Sequence, residues 1–443
     1  MNTRMMTFSA LNSVLIKKQN SEEILSELTQ KHRLSENDRK LFYAMTKGIL
    51  KRKIFLDYII RTSVKHQNFS EIDSKINNLL RLGLYQIIYM NSIPDYASVN
   101  EVVEICNQNY NKGLSGFVNA ILRSFIRNRE NLKLPDDSTA YYLSIKFSFP
   151  LYMIENWLNE YGKENTIKMC EYFNKPALLH LRFDANKISY EDFAIYLKEK
   201  NIEFSLSKFC PAILKLKSSF IFINDPFFQK GFYYIQDEST VLPIMLLNPQ
   251  EGDNVLDLCA APGGKTLLIS SMMHNKGNVF ANDINKRRMN LLKENAKRMN
   301  YNNIEFSQKD ATTFSSNEKF DKILLDVPCT GLGTMQKKPE IRLQNISRLK
   351  SLIPLQKKIL NNASRLVKND GVIVYSTCTI NKEENEKQIE KFLEFHDDFY
   401  IEKPDKFVEK SLAIDGYIKT YPYKHNMDGT FAVRLRKKEY EDS

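Results

Sequence analysis

The 443 residues contain no apolar run long enough to cross a membrane. Stretches such as Tyr58–Ile60, or Lys322–Leu325 with its flanks, fall far short of the roughly 20 residues a spanning helix needs. The chain opens Met1-Asn2-Thr3-Arg4 and passes into an amphipathic pattern, not the apolar core of a secretory signal, so a cytoplasmic location is expected. The six cysteines (Cys106, Cys170, Cys210, Cys259, Cys329 and Cys378) include no CxxC pair, and the six histidines form no HxxxH or HxH cluster. A structural zinc site lacks its usual spacing, and a disulfide framework does not suit a chain of this size. No metal is expected. Scattered single cysteines are usually small buried hydrophobes, which is the reading for Cys106, Cys170 and Cys210.

What the chain has in excess is positive charge, and the excess is uneven. Residues 1–135 carry 20 lysines and arginines against 12 acids, a net +8 out of the chain's +11. A basic N-terminal third points to a polyanionic partner, although a merely solvated basic face is the plainer alternative.

Periodicity divides the chain further. Residues 1–135 read as helix after helix. Ser35 with Asp38 makes a capping-box-like start, and Ser98 with Glu101 reads as another. Leu114, Phe117, Val118, Ile121, Leu122, Phe125 and Ile126 recur at helical spacing, with Arg123, Arg127 and Arg129 on the more polar side. Residues 136–227 read as a linker at Pro135–Ser138, then helix over Tyr141–Met169 broken at Ser148-Phe149-Pro150, then a small α+β subdomain. Its elements are a strand at Leu178–Phe183, a helix at Tyr190–Lys200, and short strands at Ala212–Leu216 and Phe220–Ile223. In the remainder, 228–443, strand and helix alternate. Strands are expected at Asn254–Leu258, Asn278–Asn282, Ile304–Gln308, Lys322–Leu325 and Gly371–Tyr375, and helices at Lys265–Met273, Lys286–Met299 and Leu349–Val367. That alternation implies an α/β fold with a mostly parallel, doubly wound sheet, whose ligands bind beyond the carboxyl ends of the strands.

Those strand ends carry the chemistry. After the first comes Cys259-Ala260-Ala261-Pro262-Gly263-Gly264-Lys265-Thr266, small residues and paired glycines that let a ligand approach the backbone at a helix N-terminus. The Gly-Lys-Thr ending suggests a P-loop, but that motif needs glycine six residues before the lysine, where Cys259 stands. Asp283, about 20 residues after the glycine turn, is placed to take ribose hydroxyls. Asp310 follows the third strand and could accept from an adenine amino group. The fourth strand runs into Asp326-Val327-Pro328-Cys329-Thr330-Gly331, and the fifth into Ser376-Thr377-Cys378-Thr379. Loop cysteines at a ligand-binding edge are candidate reactive thiols.

Asp326–Gly331, Ser376–Thr379 and Leu258–Lys265 resemble the motifs of the RNA cytosine-5 methyltransferases of the NOL1/NOP2/Sun family. Tyr234–Ser239 and Asn381–Glu386 resemble further family segments, and the likeness covers about residues 228–436. Tyr96–Glu101 and Gly116–Arg123 resemble a NusB-like RNA-binding domain. The resemblance implies a Rossmann-like methyltransferase domain at 228–443 behind a NusB-like all-α domain at 1–135 and a subdomain at 136–227. It implies S-adenosylmethionine as cofactor, bound by Cys259, Ala260, Ala261, Pro262, Gly263, Gly264, Lys265, Asp283, Asp310 and Asp326. It also implies 16S ribosomal RNA as partner, with no membrane association and a monomeric enzyme. One departure stands near the C-terminus, where Asp428-Gly429-Thr430-Phe431 carries Thr430 in place of a family aromatic.

The chemistry explains why two thiols belong together. C5 of cytosine is a poor nucleophile until a thiolate adds to C6 and turns the ring into an enamine. An ordinary cysteine has a pKa near 8.5, so the site must help to ionise it. From the residues alone either cysteine could attack, as the Pro-Cys cysteine does in DNA cytosine methyltransferases. The family resemblance assigns attack to Cys378 and product release to Cys329, as or through a general base. Asp326 could bind protonated N3, and Lys265 could orient the site or counter charge.

Overall fold

The computed structural model describes residues 2–64, 69–217, 222, 224–344 and 347–439. They form two compact units, 1–175 with 335–344, and 176–334 with 345–443.

The first unit is helical: α1 (Thr3–Leu11), α2 (Ser21–His32), α3 (Glu36–Ser63), α4 (Ser74–Tyr89), α5 (Asp95–Asn109), α6 (Lys112–Asn128), α7 (Ala140–Phe147) and α8 (Leu151–Asn174). Ser35 caps α3 as its sequence suggested, its Oγ accepting from the Asp38 amide at 3.2 Å. Ser98 does not open α5, which begins at Asp95 behind Pro94. Proline already fixes a backbone angle suited to a helix start, and the Ser98 hydroxyl donates back to the Pro94 carbonyl at 3.4 Å instead. In α6 the apolar stripe of Val118, Ile121, Leu122 and Phe125 is buried, while Arg123, Arg127 and, just past its end, Arg129 face solvent. The helix expected to break at Ser148-Phe149-Pro150 does so, with Ser148 left-handed at φ 62°. Within α8, Gly162 at φ 75° interrupts the helical geometry, a conformation open to glycine. Arg342, from the segment 335–344, is fully buried in this unit. Its guanidinium lies 3.9 Å from the Phe149 ring and donates to the carbonyl of Lys51 and Oδ1 of Asn174, both at 3.1 Å.

The second unit holds two sheets. The smaller comprises β1 (Leu179–Phe183), β2 (Phe204–Leu206), β3 (Ile213–Leu216) and β4 (Tyr233–Ile235), in the antiparallel order β2-β3-β1-β4. Helix α9 (Tyr190–Glu199) follows β1, and the short α10 (Pro226–Gln229) precedes β4. Of the strand expected at Phe220–Ile223, only Phe222 is among the described residues.

After α11 (Leu242–Leu247), the chain alternates through β5 (Asn254–Asp257), α12 (Gly264–Met272), β6 (Asn278–Asn282), α13 (Lys286–Arg298), β7 (Ile304–Ser307), β8 (Phe320–Asp326), α14 (Ser347–Leu366) and β9 (Val367–Thr377). These strands run parallel in the order β7-β6-β5-β8-β9. Neighbouring residues enter opposite cores: Val255, Leu324 and Val372 join one face, and Leu256, Leu325 and Ile373 the other. Burial of both faces explains the continuous apolar runs within β5, β8 and β9, whereas the edge strand β7 leaves Glu305 and Phe306 exposed.

The sheet continues antiparallel beyond β9. After α15 (Glu386–Leu393), β10 (Phe399–Glu402), β11 (Ala413–Ile414), β12 (Tyr417–Lys419), the short α16 (Pro422–His425) and β13 (Phe431–Lys437) complete it, with β13 paired to β9. The sequence reading did not list these strands. In β13, Arg434 is 4% exposed and bound to Glu402 at 2.7 Å. A paired internal arginine hides the strand from an apolar count. Among the described residues, no helix is long and apolar enough to cross a membrane.

Candidate active site

The carboxyl ends of β5, β6, β8 and β9 gather the residues singled out by the sequence. At the end of β5, Gly263 adopts φ 109°, and a Cβ there would lie 2.3 Å from Leu292 Cδ1, so only glycine fits the turn. Helix α12 starts at Gly264 with no side-chain cap, leaving first-turn amides available to an anion. Thr266 ties that turn to the strand, its Oγ1 donating to Asp257 Oδ2 at 2.7 Å. Burial pushes the Asp257 carboxyl up to about 7, and its Oδ1 has no partner. Ala260 and Ala261 are buried, Pro262 is exposed and Cys259 half-buried.

Asp283, at the end of β6, accepts from the Ala261 amide at 3.1 Å and from the Asn285 amide at 2.8 Å. The acid is thus joined directly to the small-residue turn. Asn282 beside it donates to the carbonyls of Leu258 (3.2 Å) and Lys309 (3.0 Å), and Arg288 reaches the Ala261 carbonyl. Asp310, beyond β7, is exposed, and its Oδ1 accepts from the amide and hydroxyl of Thr312, both at 2.8 Å. Those hydrogen bonds hold its carboxyl below the usual range.

The register of β8 against β9 brings the remaining residues together. Asp326 lies opposite Ser376, and the Ser376 hydroxyl donates to Asp326 Oδ1 at 3.1 Å. On Oδ2, Asp326 receives Lys265 Nζ at 2.7 Å. Burial alone would lower the Lys265 pKa, but Asp326 and Cys378 outweigh it and hold the ammonium charged. Three residues beyond Asp326 and two beyond Ser376, Cys329 Sγ and Cys378 Sγ lie 3.3 Å apart. The Cys329 thiol is pushed well up by its hydrogen bond to Cys378 and then by burial. Cys259 is pushed well up by burial and by Asp257, which leaves it an inert thiol. The other three cysteines are buried, as their scattered positions suggested.

Lys265, Asp326, Cys329 and Cys378 therefore meet in one cluster, while Asp283 joins the glycine turn beside it. Asp310 is bonded to Thr312 in its own loop and directly follows Lys309, whose backbone pairs with the Asn282 side chain. The sequence reading missed Asn282, Ser376 and the buried pair Glu384-Asn385. Only the family-like segment Asn381–Glu386 hinted at the last two, and spacing alone gives no sign of what they touch. Thr430 is 5% exposed and sits in backbone pairing with Thr420, while the ring next to it, Phe431, packs 5.1 Å from Tyr417.

Residues 244–436 match the family described as 16S rRNA methyltransferase RsmB/F. Residues 1–127 match the NusB family, and 149–221 the ferredoxin-like domain of RsmF/B-like methyltransferases. The probable ribosomal RNA small subunit methyltransferase B of Synechocystis sp. is 33% identical over 98% of this chain and 99% of its own length. Its namesake from Bacillus subtilis is 34% identical over 97% of this chain and 98% of its own. Among solved structures, that of PH0851 is similar at a TM-score of 0.84 and 27% identity, covering 99% of each chain.

Proposed function

The chain belongs to the 16S rRNA methyltransferase RsmB/F family, and on that premise we propose that it methylates C5 of a cytosine in 16S ribosomal RNA through a covalent bond from Cys378. The observation that carries this reading is the pair of thiols 3.3 Å apart beside the Lys265–Asp326 ion pair. S-adenosylmethionine supplies an electrophilic methyl group on a sulfonium. The residues at the β5 and β6 ends suit such a ligand. Gly263 allows the left-handed turn that leads into α12, the uncapped start of that helix offers amides to a carboxylate, and the acid Asp283 is suited to take ribose hydroxyls.

Cys378 adds to C6, and the electron pair of the C5–C6 bond moves so that C5 can attack the methyl group. Lys265 favours the thiolate by its charge, and Asp326 holds the proton on N3 of the adduct. After methylation the C5 proton must leave and the C6–S bond must break. Cys329 assists that elimination, as general base or through one. The target base must leave its stack to expose C6, and the basic residues 1–135 supply sequence-independent phosphate contacts.

Bisulfite sequencing of ribosomal RNA from a strain lacking the gene tests the substrate. The expected result is loss of the mark at a 16S cytosine and nowhere in tRNA. An unchanged 16S pattern would overturn the assignment.

A further inference from the structure

The structure points to Glu384 and Asn385 as the positioning residues that hold the two cysteine loops in register, a role beyond binding and chemistry. Both are buried, at 0% and 3% exposure. They are consecutive in the chain and together hold both loops: Asn385 the Cys378 loop, and Glu384 chiefly the Cys329 loop with a further hydrogen bond from the Thr379 hydroxyl.

Glu384 takes the Cys329 loop. Its Oε1 accepts from the amide of Thr330, the residue after Cys329, at 2.8 Å, and its Oε2 accepts from the Thr330 hydroxyl at 2.5 Å. Gln356 on α14 donates to the same Oε1 at 3.1 Å and to the Pro328 carbonyl at 2.9 Å, so the loop is held on both sides of the cysteine. Asn385 takes the Cys378 loop. Its Oδ1 accepts from Thr377 Oγ1 at 2.6 Å, and its Nδ2 donates to the Thr379 carbonyl at 3.0 Å. Thr377 and Thr379 flank Cys378. A hydroxyl contact of 2.9 Å between Thr330 and Thr379 closes the ring between the loops.

The partners named for Glu384 are all neutral. A buried carboxylate without a cation is unfavourable unless hydrogen bonds compensate it, and burial raises its pKa accordingly. Most of the compensating donors, the Thr330 amide and hydroxyl and the Thr379 hydroxyl, belong to the cysteine loops, with Gln356 of α14 beside them, so the charge is best stabilised when those loops are in place. Tyr375 fixes the clamp to the sheet by donating to the Glu384 carbonyl at 2.7 Å. The separation of the two thiols is thus set by one short segment that touches neither of them.

The geometric part of this inference is independent of the proposed reaction, whereas its consequence for turnover rests on that reading. Diamide oxidises two neighbouring thiols to a disulfide, itself taking up both hydrogens to become the hydrazine, and its rate reports their proximity. In the full-length protein, Glu384→Ala should slow formation of the Cys329–Cys378 disulfide about tenfold, the effect of losing the net worth of one or two buried hydrogen bonds. Glu384→Gln, whose amide can still accept from the Thr330 amide, should stay within about threefold of wild type. Asn385→Ala should slow it like Glu384→Ala, and it decides the matter if Glu384→Ala does not fold. S-adenosylmethionine affinity should not move. With 16S rRNA, Glu384→Ala should also accumulate the covalent RNA adduct seen with Cys329→Ala, because a displaced Cys329 cannot complete the elimination. Wild-type oxidation rates in both alanine variants would overturn the clamp. Slowed oxidation with no adduct in either Glu384→Ala or Cys329→Ala would leave the clamp standing and overturn the two-thiol chemistry.

Discussion

The loops at residues 257–264 and 282–285, proposed to hold the cofactor, and the loops at 326–334 and 376–380, proposed to act on the base, stand side by side but are built differently. The former are shaped by backbone. They rest on a left-handed Gly263, an uncapped helix start and amides bonded to Asp283. The latter are held by side chains brought from elsewhere, with Glu384, Asn385, Gln356 and the threonines fixing two thiols 3.3 Å apart. Binding a preformed ligand needs open backbone. Successive addition, methylation and elimination need two groups kept at a set distance.

If that contrast is real, damage to the second pair of loops should fall on the chemical step, and damage to the first on affinity. The largest effect is expected at the nucleophile. Cys378→Ala should lower turnover by at least about 10³-fold and abolish the covalent adduct, while Cys329→Ala should stop turnover with the adduct trapped. Gel-shift under denaturing conditions separates the two outcomes.

Next, Asp326→Asn removes the carboxylate that meets Lys265 and Ser376. It should lower kcat by about 10²-fold, measured with saturating S-adenosylmethionine and RNA. A change confined to KM would place Asp326 with the cofactor loops instead.

Asp257→Asn sharpens the contrast through stability. The folded-state pKa of Asp257 is raised to about 7, against about 3.9 for an unfolded aspartate. The folded state therefore binds more protons between those values. The stability this brings is complete below about pH 4 and is lost as pH rises towards 7. Between pH 5 and pH 7 the wild type should lose about 2 kcal/mol relative to Asp257→Asn, read from paired denaturant titrations. Parallel pH curves for the two proteins would show that Asp257 does not titrate in this range.

The smallest effect is expected from Gly263→Ala. The new Cβ would sit in the left-handed region and 2.3 Å from Leu292 Cδ1. Strain of about 1–2 kcal/mol should weaken S-adenosylmethionine binding about tenfold, with kcat little changed.

The same contrast explains what could be read from the sequence. The central parallel strands β5, β8 and β9 were legible because both of their faces are buried where they carry apolar residues in succession. The glycine turn and the two cysteine motifs were legible because their chemistry demands particular residue types at fixed spacing. Strand β13 was not, since Arg434 and Arg436 in its middle are satisfied by Glu402, a partner found only in three dimensions. Glu384 and Asn385 were visible as part of a polar segment, but a polar run of that kind normally means a solvated helix start. Their burial depends on loops more than fifty residues away for Glu384 and eight for Asn385. Ser98 misled for a related reason: a helix can start behind proline without the serine that seems to cap it.

The most direct test of the central claim uses wild-type enzyme, S-adenosylmethionine and 16S ribosomal RNA containing 5-fluorocytidine. Fluorine at C5 cannot leave as a proton does, so the adduct persists and its attachment point can be mapped by peptide mass spectrometry. The RNA should be found on the peptide that contains Cys378. Attachment at Cys329, or no covalent species at all, would contradict the account.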